Sequence, residues 1–389
     1  MKSLILKQIM QVLSYDKFRK IVDEHWGDRY TKTFSSWSHL HVMFIFHITG
    51  RTSIRDLLNY LNVHSSLLYH CGISSLSKSN LSHNNTTRPS EIFESFYYST
   101  LEDLRNKVPF DKSRKFKFKL KIKSIDSSTI SLCKTLYEWA TFRTSKGGIK
   151  LHTSLDHDSM IPDFLSIGEA KTNDAKGVWT IPILPGCIYV VDRAYLCLKW
   201  LNEVIMTKSH FVIRLKKNTT YEIIKSKKVS YENKNKGVVF DGEIKFTGTK
   251  KDDYTGKLRL VEFIDQETGK EFKFITDNFK LSPYTIAEIY KDRWQIELFF
   301  KKIKQNLKIK SFIGRTKNSI KIQIWVAMIV LLLHEFSNWL SRTQLSLKEF
   351  LSKVCGTLFS FRRLTEILNS SIQRKCNTKI KCTQQVFRF

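Results

Sequence analysis

Four side chains with chemistry to offer recur at helical spacing in Tyr290–Lys310, YKDRWQIELFFKKIKQNLKIK. This stretch has no Gly or Pro, so it reads as one uninterrupted helix. At about 100° per residue, Tyr290, Arg293, Glu297 and Lys304 fall within an arc of about 60°. Ile296, Phe299, Phe300, Ile303 and Leu307 anchor other faces. A lone carboxylate among cations, on a helix held by its apolar side, suits a site for metal and phosphate. Spacing alone leaves open an exposed basic helix with i,i+4 pairs such as Glu297 with Lys301. Lys301 and Lys302 point away from the stripe and read as solvated charges.

Two upstream aspartates can join Glu297. FKFKLKIKSID alternates lysine with Phe116, Phe118, Leu120 and Ile122, predicting a strand over Lys115–Asp126 that ends in Asp126. CIYVV, Cys187–Val191, is a continuous apolar run typical of a central strand, and it ends in Asp192. If these strands are neighbours, the carboxylates converge and repel unless they share a proton or bind a hard cation. Two Mg²⁺ ions about 4 Å apart can activate a nucleophile and stabilise a leaving oxygen in phosphodiester chemistry. Asp156, Asp158, Asp163 and Asp174 are rival ligands. His152 and His157 flank a strand–turn–strand segment and lack a third ligand at metal spacing.

The elements that must position these groups follow from periodicity. Residues 1–110 read as helical: Trp37–Thr49 as a core helix ended by Gly50, then SIRDLLNYLNVH capped by Thr52 or Ser53, a short helix from Ser77 to Leu81, a break at Asn84–Pro89, and Glu91–Lys107. Ser79, Asn84 and Arg88 lie at or beside the short helix and suit base edges and phosphates, or merely cap and turn it. Residues 111–215 predict a mixed α/β unit, with further strands at Ile149–Leu155, Ile161–Ile167 and His210–Leu215 and a helix over Tyr195–Met206. Residues 216–280 carry short alternating stretches, Gly237–Phe246, Leu258–Ile264 and Phe272–Thr276, that predict antiparallel strands. Ser282-Pro283 opens the helical segment 281–340, in which Ser319–Leu340 reads as a buried helix. Residues 341–389 are basic and helical to Leu368.

The chain has 389 residues with 65 Lys+Arg against 36 Asp+Glu, a formal charge of +29. Its excess of cations runs through every segment, which implies a polyanionic partner, nucleic acid foremost. Its seven cysteines form no CxxC, so neither a disulfide framework nor a zinc ribbon is expected and a reducing compartment fits. The N-terminal apolar run is broken by Lys7 and Gln8 and does not read as a signal peptide. Ile322–Leu333 is shorter than the roughly 20 residues of a membrane span, so no membrane is expected.

The spacing of Tyr290, Arg293, Glu297 and Lys304 resembles the Y-R-E-K signature of bacterial DDE transposases in the insertion sequence 4 family. SIDSST around Asp126 resembles that family's first catalytic motif. VVDRAY around Asp192 resembles the second, which more usually reads DRGY, so Ala194 departs from it. LHTSLDHDSMIPDFLSIGEAKTNDAK and the N-terminal GDRYTKTFSSW…GRTSIRDLL are also similar, and the resemblance covers about residues 10–340. It implies a ribonuclease H-like catalytic core carrying a β insertion between the second Asp and the Glu, preceded by a helical DNA-binding domain. It implies that Asp126, Asp192 and Glu297 hold two Mg²⁺ or Mn²⁺ ions, that water cuts the DNA end, and that the freed 3′-OH attacks target DNA. Tyr290, Arg293 and Lys304 would grip phosphates, with Trp294 beside them near the DNA. The partners implied are double-stranded DNA and a second copy of the chain, in the bacterial cytoplasm at the nucleoid. A DNA-binding relative without catalysis and a metal-dependent nuclease without strand transfer are the alternatives.

Overall fold

The computed structural model describes residues 3–108, 115–133, 135–143, 146–171, 177–216, 219–247 and 253–370. Asp174 and the C-terminal tail from 371 lie outside the described residues. The N-terminal region is helical: α1 (Ile5–Met10), α2 (Tyr15–Glu24), α3 (Ser36–Thr49), α4 (Ile54–Val63), α5 (Ser65–Leu68), α6 (Lys78–Thr87) and α7 (Glu91–Lys107). Gly50 ends α3 with φ 66°, the left-handed conformation that glycine adopts freely. Ser53, not Thr52, caps α4 by accepting from the Asp56 N–H.

The expected break at Asn84–Pro89 is corrected, since α6 continues through Asn84 to Thr87. Its polar side chains satisfy themselves along the helix: Asn84 donates to the Asn80 carbonyl, Thr86 to Ser82 and Thr87 to His83. Residues that compete for backbone in a turn can also bond back to the i−4 carbonyl within a helix.

The sheet is built from β1 (Lys121–Leu132), β2 (Thr141–Arg143), β3 (Lys146–Asp156), β4 (Ile161–Glu169), β5 (Cys187–Val191), β6 (His210–Arg214), β7 (Tyr221–Ser226), β8 (Val238–Phe246), β9 (Leu258–Ile264) and β10 (Glu271–Thr276). Its order is β2-β3-β1-β5-β6-β10-β9-β8-β7, with β4 also paired to β3. β3 runs antiparallel to β1 and β4 antiparallel to β3, whereas β5 is parallel to β1 and β6 parallel to β5. β7–β10 form an antiparallel meander, and β10 pairs with β6, so the insertion extends the same sheet. β7 escapes the alternation rule because it is an edge strand exposed on both faces.

The first strand differs from its expected range. Phe116 and Phe118 stack on each other and pack beneath the sheet, and pairing starts only at Lys121, opposite Cys187 where β5 begins. β1 then continues past Asp126 to Leu132 because β3 supplies a ladder as far as Gly147. Asp126 therefore lies mid-strand rather than at a strand end.

Behind the sheet come α8 (Leu198–Met206), α9 (Tyr231–Asn235), α10 (Pro283–Asp292), α11 (Trp294–Asn306), α12 (Lys317–Ser341), α13 (Leu347–Thr357) and α14 (Leu364–Asn369). Ser282 caps α10 and Pro283 occupies its first turn. The helix expected to be continuous over Tyr290–Lys310 is two helices that meet at Arg293, and α11 ends at Asn306. Tight i→i+3 bonds mark the join: Arg293 N–H to the Tyr290 carbonyl and Ile296 N–H to the Arg293 carbonyl. α12 is long and apolar enough to cross a membrane by composition, yet 83% of its most apolar window is buried inside the protein. One hydrophobic core joins the N-terminal helices to α11–α14 and to one side of β1, β3 and β4. Two smaller cores sandwich the centre of the sheet, α8 on one face and α10 on the other.

Candidate active site

The parallel register of β1 and β5 ends on the pair Ile125–Val191. Asp126 and Asp192 are the next residues on the two strands, so they stand side by side on the same face of the sheet. That face is the one carrying Ile122, Ile188 and Val190 against α10, while Ile125 and Val191 point to α8. All five residues of β5 are buried, which makes Asp192 the first position where this strand can present a charge.

Helices α10 and α11 lay their polar stripe across these strands. Tyr290 Oη donates to Asp192 Oδ1 at 3.1 Å. Arg293 donates through Nη1 to Asp126 Oδ2 at 3.4 Å and through Nη2 to Glu297 Oε1 at 2.7 Å. Lys304 Nζ donates to Ser128 Oγ at 2.6 Å and to the Thr129 carbonyl at 2.9 Å. The four residues of the stripe thus face the two aspartates and the strand beyond Asp126. The i,i+4 partner of Glu297 is Arg293 rather than Lys301, and Lys302 is not a solvated charge but an ion pair with Glu335 at 3.0 Å.

Electrostatics follow from this packing. Burial pushes the Asp126 carboxyl up to about 6, opposed by the Ser127 N–H and Arg293 and reinforced by the negative charges of Glu297 and Asp192. Burial works against the Arg293 charge, but Tyr290, Glu297 and Asp126 more than offset it and hold the guanidinium charged. Burial pushes the Lys304 ammonium down, and nearby Lys310 adds to this. Burial raises the Tyr290 phenol, which stays a neutral donor. Among the described residues, no three His, Cys, Asp or Glu side chains stand close enough as placed to hold a metal ion. The physical reason here is Arg293, whose guanidinium bridges Asp126 and Glu297.

Trp294 starts α11 and is 56% exposed. With Asp192, Arg214, Phe263, Phe272 and Tyr290 it lines a half-open cavity of about 370 Å³ beside the aspartates. The Arg214 guanidinium lies 4.8 Å from the Phe272 ring centroid.

Two of the rival aspartates, Asp156 and Asp163, have other work. Asp163 forms a buried ion pair with Lys123. Asp156 takes the Ser159 hydroxyl and the Asp158 N–H in the β3–β4 turn and meets Arg105. His157 belongs to an arrangement that no sequence signal announced. Its Nε2 is 2.6 Å from Ser124 Oγ and its Nδ1 is 3.1 Å from Asp292 Oδ2. The order Ser–His–Asp is that of a hydrolase triad, but Ser124 is 0% exposed and no substrate can reach it. The chain instead ties the strand two residues before Asp126 to the helix end one residue before Arg293. Its members are 33 and 135 positions apart, too far for any local pattern.

The three N-terminal candidates part company. Asn84 lines a cleft beside α6. Ser79 is exposed on the first turn of α6, with its hydroxyl 3.0 Å from that of Ser77. Arg88 is not free to touch a ligand: it is 3% exposed and donates to the carbonyls of Gly27, Phe34 and Ser35 and to Asp28. Its position after α6 turns it inward, where loop carbonyls need a donor.

Comparison with known proteins gives a consistent set of matches. Residues 117–333 match the family described as transposase DDE domain, a span that includes both aspartates and the whole polar stripe. Residues 1–74 match a domain of unknown function. A protein of Sinorhizobium fredii named as the transposase y4zB is 30% identical over 269 residues, 69% of this chain and 75% of that one. A protein of Geobacillus stearothermophilus named as transposase for insertion sequence element IS5377 is 28% identical over 61% of this chain and 66% of its own length. A solved piggyBac transposase synaptic complex with hairpin DNA superposes with a TM-score of 0.42 at 12% identity, covering 94% of this chain and 80% of that one, too loosely to argue from.

Proposed function

The chain belongs to the transposase DDE domain family, and from that premise we propose that it is the transposase of a bacterial insertion sequence of the insertion sequence 4 family, with Tyr290, Arg293, Glu297 and Lys304 as its Y-R-E-K signature. It binds the inverted-repeat ends of its element as a dimer on paired ends, in the cytoplasm at the nucleoid. Water hydrolyses the phosphodiester at the end, and the freed 3′-OH attacks a phosphodiester of target DNA. The order β4-β3-β1-β5-β6, three antiparallel strands followed by two parallel to β1, supports a ribonuclease H-like core.

The observation that carries this reading is the register. Asp126 and Asp192 follow directly on the last parallel pair, and the helix of Glu297 is bonded to Asp126 through Arg293. Hard oxygen donors on adjoining elements suit Mg²⁺ or Mn²⁺. Asp126, Asp192 and Glu297 would hold two such ions, which when bound supply an activated water and stabilise the leaving oxygen. Tyr290 orients Asp192 through its hydrogen bond. Arg293 bridges Asp126 and Glu297 in the free protein and would be free to meet phosphate were those carboxylates to hold a cation. Lys304, fixed on Ser128, presents a point charge farther along the strand.

The test is incubation of the protein with Mg²⁺ and a duplex ending in the element's inverted repeat. Cleavage at the end followed by joined products is expected, and Glu297→Gln stops both. Cleavage without joining would make the protein a nuclease. Binding without cleavage in any divalent metal would leave only a DNA-binding relative. A calorimetric Mn²⁺ titration checks the ligands directly, since Asp126→Asn weakens binding whether or not DNA is present.

A further inference from the structure

A half-open cleft of about 470 Å³ lies between α6 and the loop that leaves α2. α6 buries Leu81 and Asn85 and lines the cleft with Asn80, His83, Asn84 and Thr87. That spacing is one helix face, and every residue on it carries a hydrogen-bonding side chain. The Asn84 amide NH₂ donates to Asn80, which leaves Asn84 Oδ1 without a partner among the described residues.

The opposite wall holds Trp26, Arg29, Tyr30 and Lys32. Trp26 is 67% and Tyr30 87% exposed, and the Arg29 guanidinium lies 4.9 and 5.0 Å from their rings. Both aromatic residues have positive φ, 54° and 62°, a conformation that bulky side chains rarely adopt. Trp26 takes the left-handed position of the turn that ends α2, with its N–H on the Asp23 carbonyl and the Gly27 N–H on Val22, where glycine is usual. A Cβ on the neighbouring Gly27 would come within 2.2 Å of Ile92 Cδ1, so that side chain would have to shift to admit one. Arg88 clamps this loop to α6 through Gly27, Phe34, Ser35 and Asp28. The fold thus holds two solvent-facing rings on strained backbone across the cleft from the Asn80 and Asn84 amides, and neither ring belongs to the core.

We propose that this cleft captures one unpaired nucleotide of the DNA that the protein binds. The Trp26 ring stacks on the base, the Asn80 and Asn84 amides meet its polar edge, and Arg29 and Lys32 meet the phosphate. Its volume is of the size that encloses a small ligand and excludes a duplex. The inference rests on the reading that the chain binds DNA. It adds a second contact, and only the Trp26–Lys32 wall of the cleft lies within residues 1–74, which match a domain of unknown function.

Fluorescence anisotropy with the full chain tests it, using a labelled duplex with one unpaired nucleotide and the same duplex fully paired. The wild type is expected to prefer the first by about tenfold, the size of one base–aromatic stack. Trp26→Gly loses that preference and keeps the affinity for paired DNA, and the double variant Asn80→Ala/Asn84→Ala loses the preference. Trp26→Gly also unfolds at the same or a higher temperature, because glycine accepts the left-handed position freely. Equal affinity of the wild type for the two probes, or a preference that survives Trp26→Gly, overturns the cleft alone. Failure to bind either probe overturns the DNA reading and the cleft together.

Discussion

Helix α3 and the carboxylate site both bury groups that titrate, and they deal with charge in opposite ways. His39, His41 and His47 sit within α3, and each gives one ring N–H to an oxygen: Asn85 Oδ1, the Trp37 carbonyl and the Gln323 carbonyl. Burial pushes them down to about 3, 4 and 3, so they are neutral at any physiological pH. Burial pushes the Asp126 carboxyl up to about 6, and the Ser127 N–H and Arg293 oppose that shift, so it keeps its negative charge near neutral pH. A neutral ring can be buried with one partner, whereas a buried carboxylate needs a counter-charge. The helical region is therefore a settled scaffold, while the site sets Asp126 and Glu297 against one guanidinium.

Acid gives the largest expected effect. The unfolded chain takes up protons at the three histidines below about 6.5 and the folded chain does not. Their contribution is intact above that pH and is lost as pH falls toward 4, by about 1.4 kcal/mol per pH unit for each imidazole and about 4 for the three. Denaturant unfolding at neutral and mildly acid pH measures this, and a flat profile would break the contrast.

Asp126→Asn probes the other side. It should lower metal-dependent cleavage about 10³-fold, or about 4 kcal/mol of barrier. The same variant should be more stable in metal-free buffer, by up to about 3 kcal/mol at neutral pH, because the carboxyl rises from an ordinary 3.8 to about 6. Its sign is opposite to that of the histidines: the penalty is absent below about 4 and complete above about 6. A variant less stable than the wild type would mean that Arg293 fully compensates the charge.

His157→Ala sharpens the comparison by removing a buried link that belongs to the site but never touches substrate. It should cost about 2 kcal/mol by orphaning buried Ser124 and leaving Asp292 with Lys115 alone, and slow cleavage with little change in DNA affinity. Reduced stability with an unchanged cleavage rate would confine the link to the fold. Lys304→Ala is the mildest change. It should lower the slope of log affinity against log salt by about one and shift stability by less than about 1 kcal/mol.

Much of the architecture was legible where burial imposes a period. The insertion strands β8, β9 and β10, the Ser282-Pro283 start of α10 and the buried helix α12 could all be read from alternation, capping and apolar content. β7 could not, because an exposed edge strand has no inward face to mark. From sequence α6 reads as too short because Asn and Thr favour turns in isolation, whereas in the fold they bond back along the helix.

At the site, residue types and their spacing came from the sequence alone: two aspartates after β-type runs, and Tyr290, Arg293, Glu297 and Lys304 on one helical stripe. Local periodicity is a short-range property, and it sufficed for that. Only the tertiary structure decided that Asp126 and Asp192 stand in register, that Arg293 bridges Asp126 to Glu297, that His157 joins Ser124 to Asp292, and that Arg88 holds a loop instead of a ligand. Each depends on contacts between residues far apart in the chain, where pairing and packing choose among side chains that look alike in one dimension.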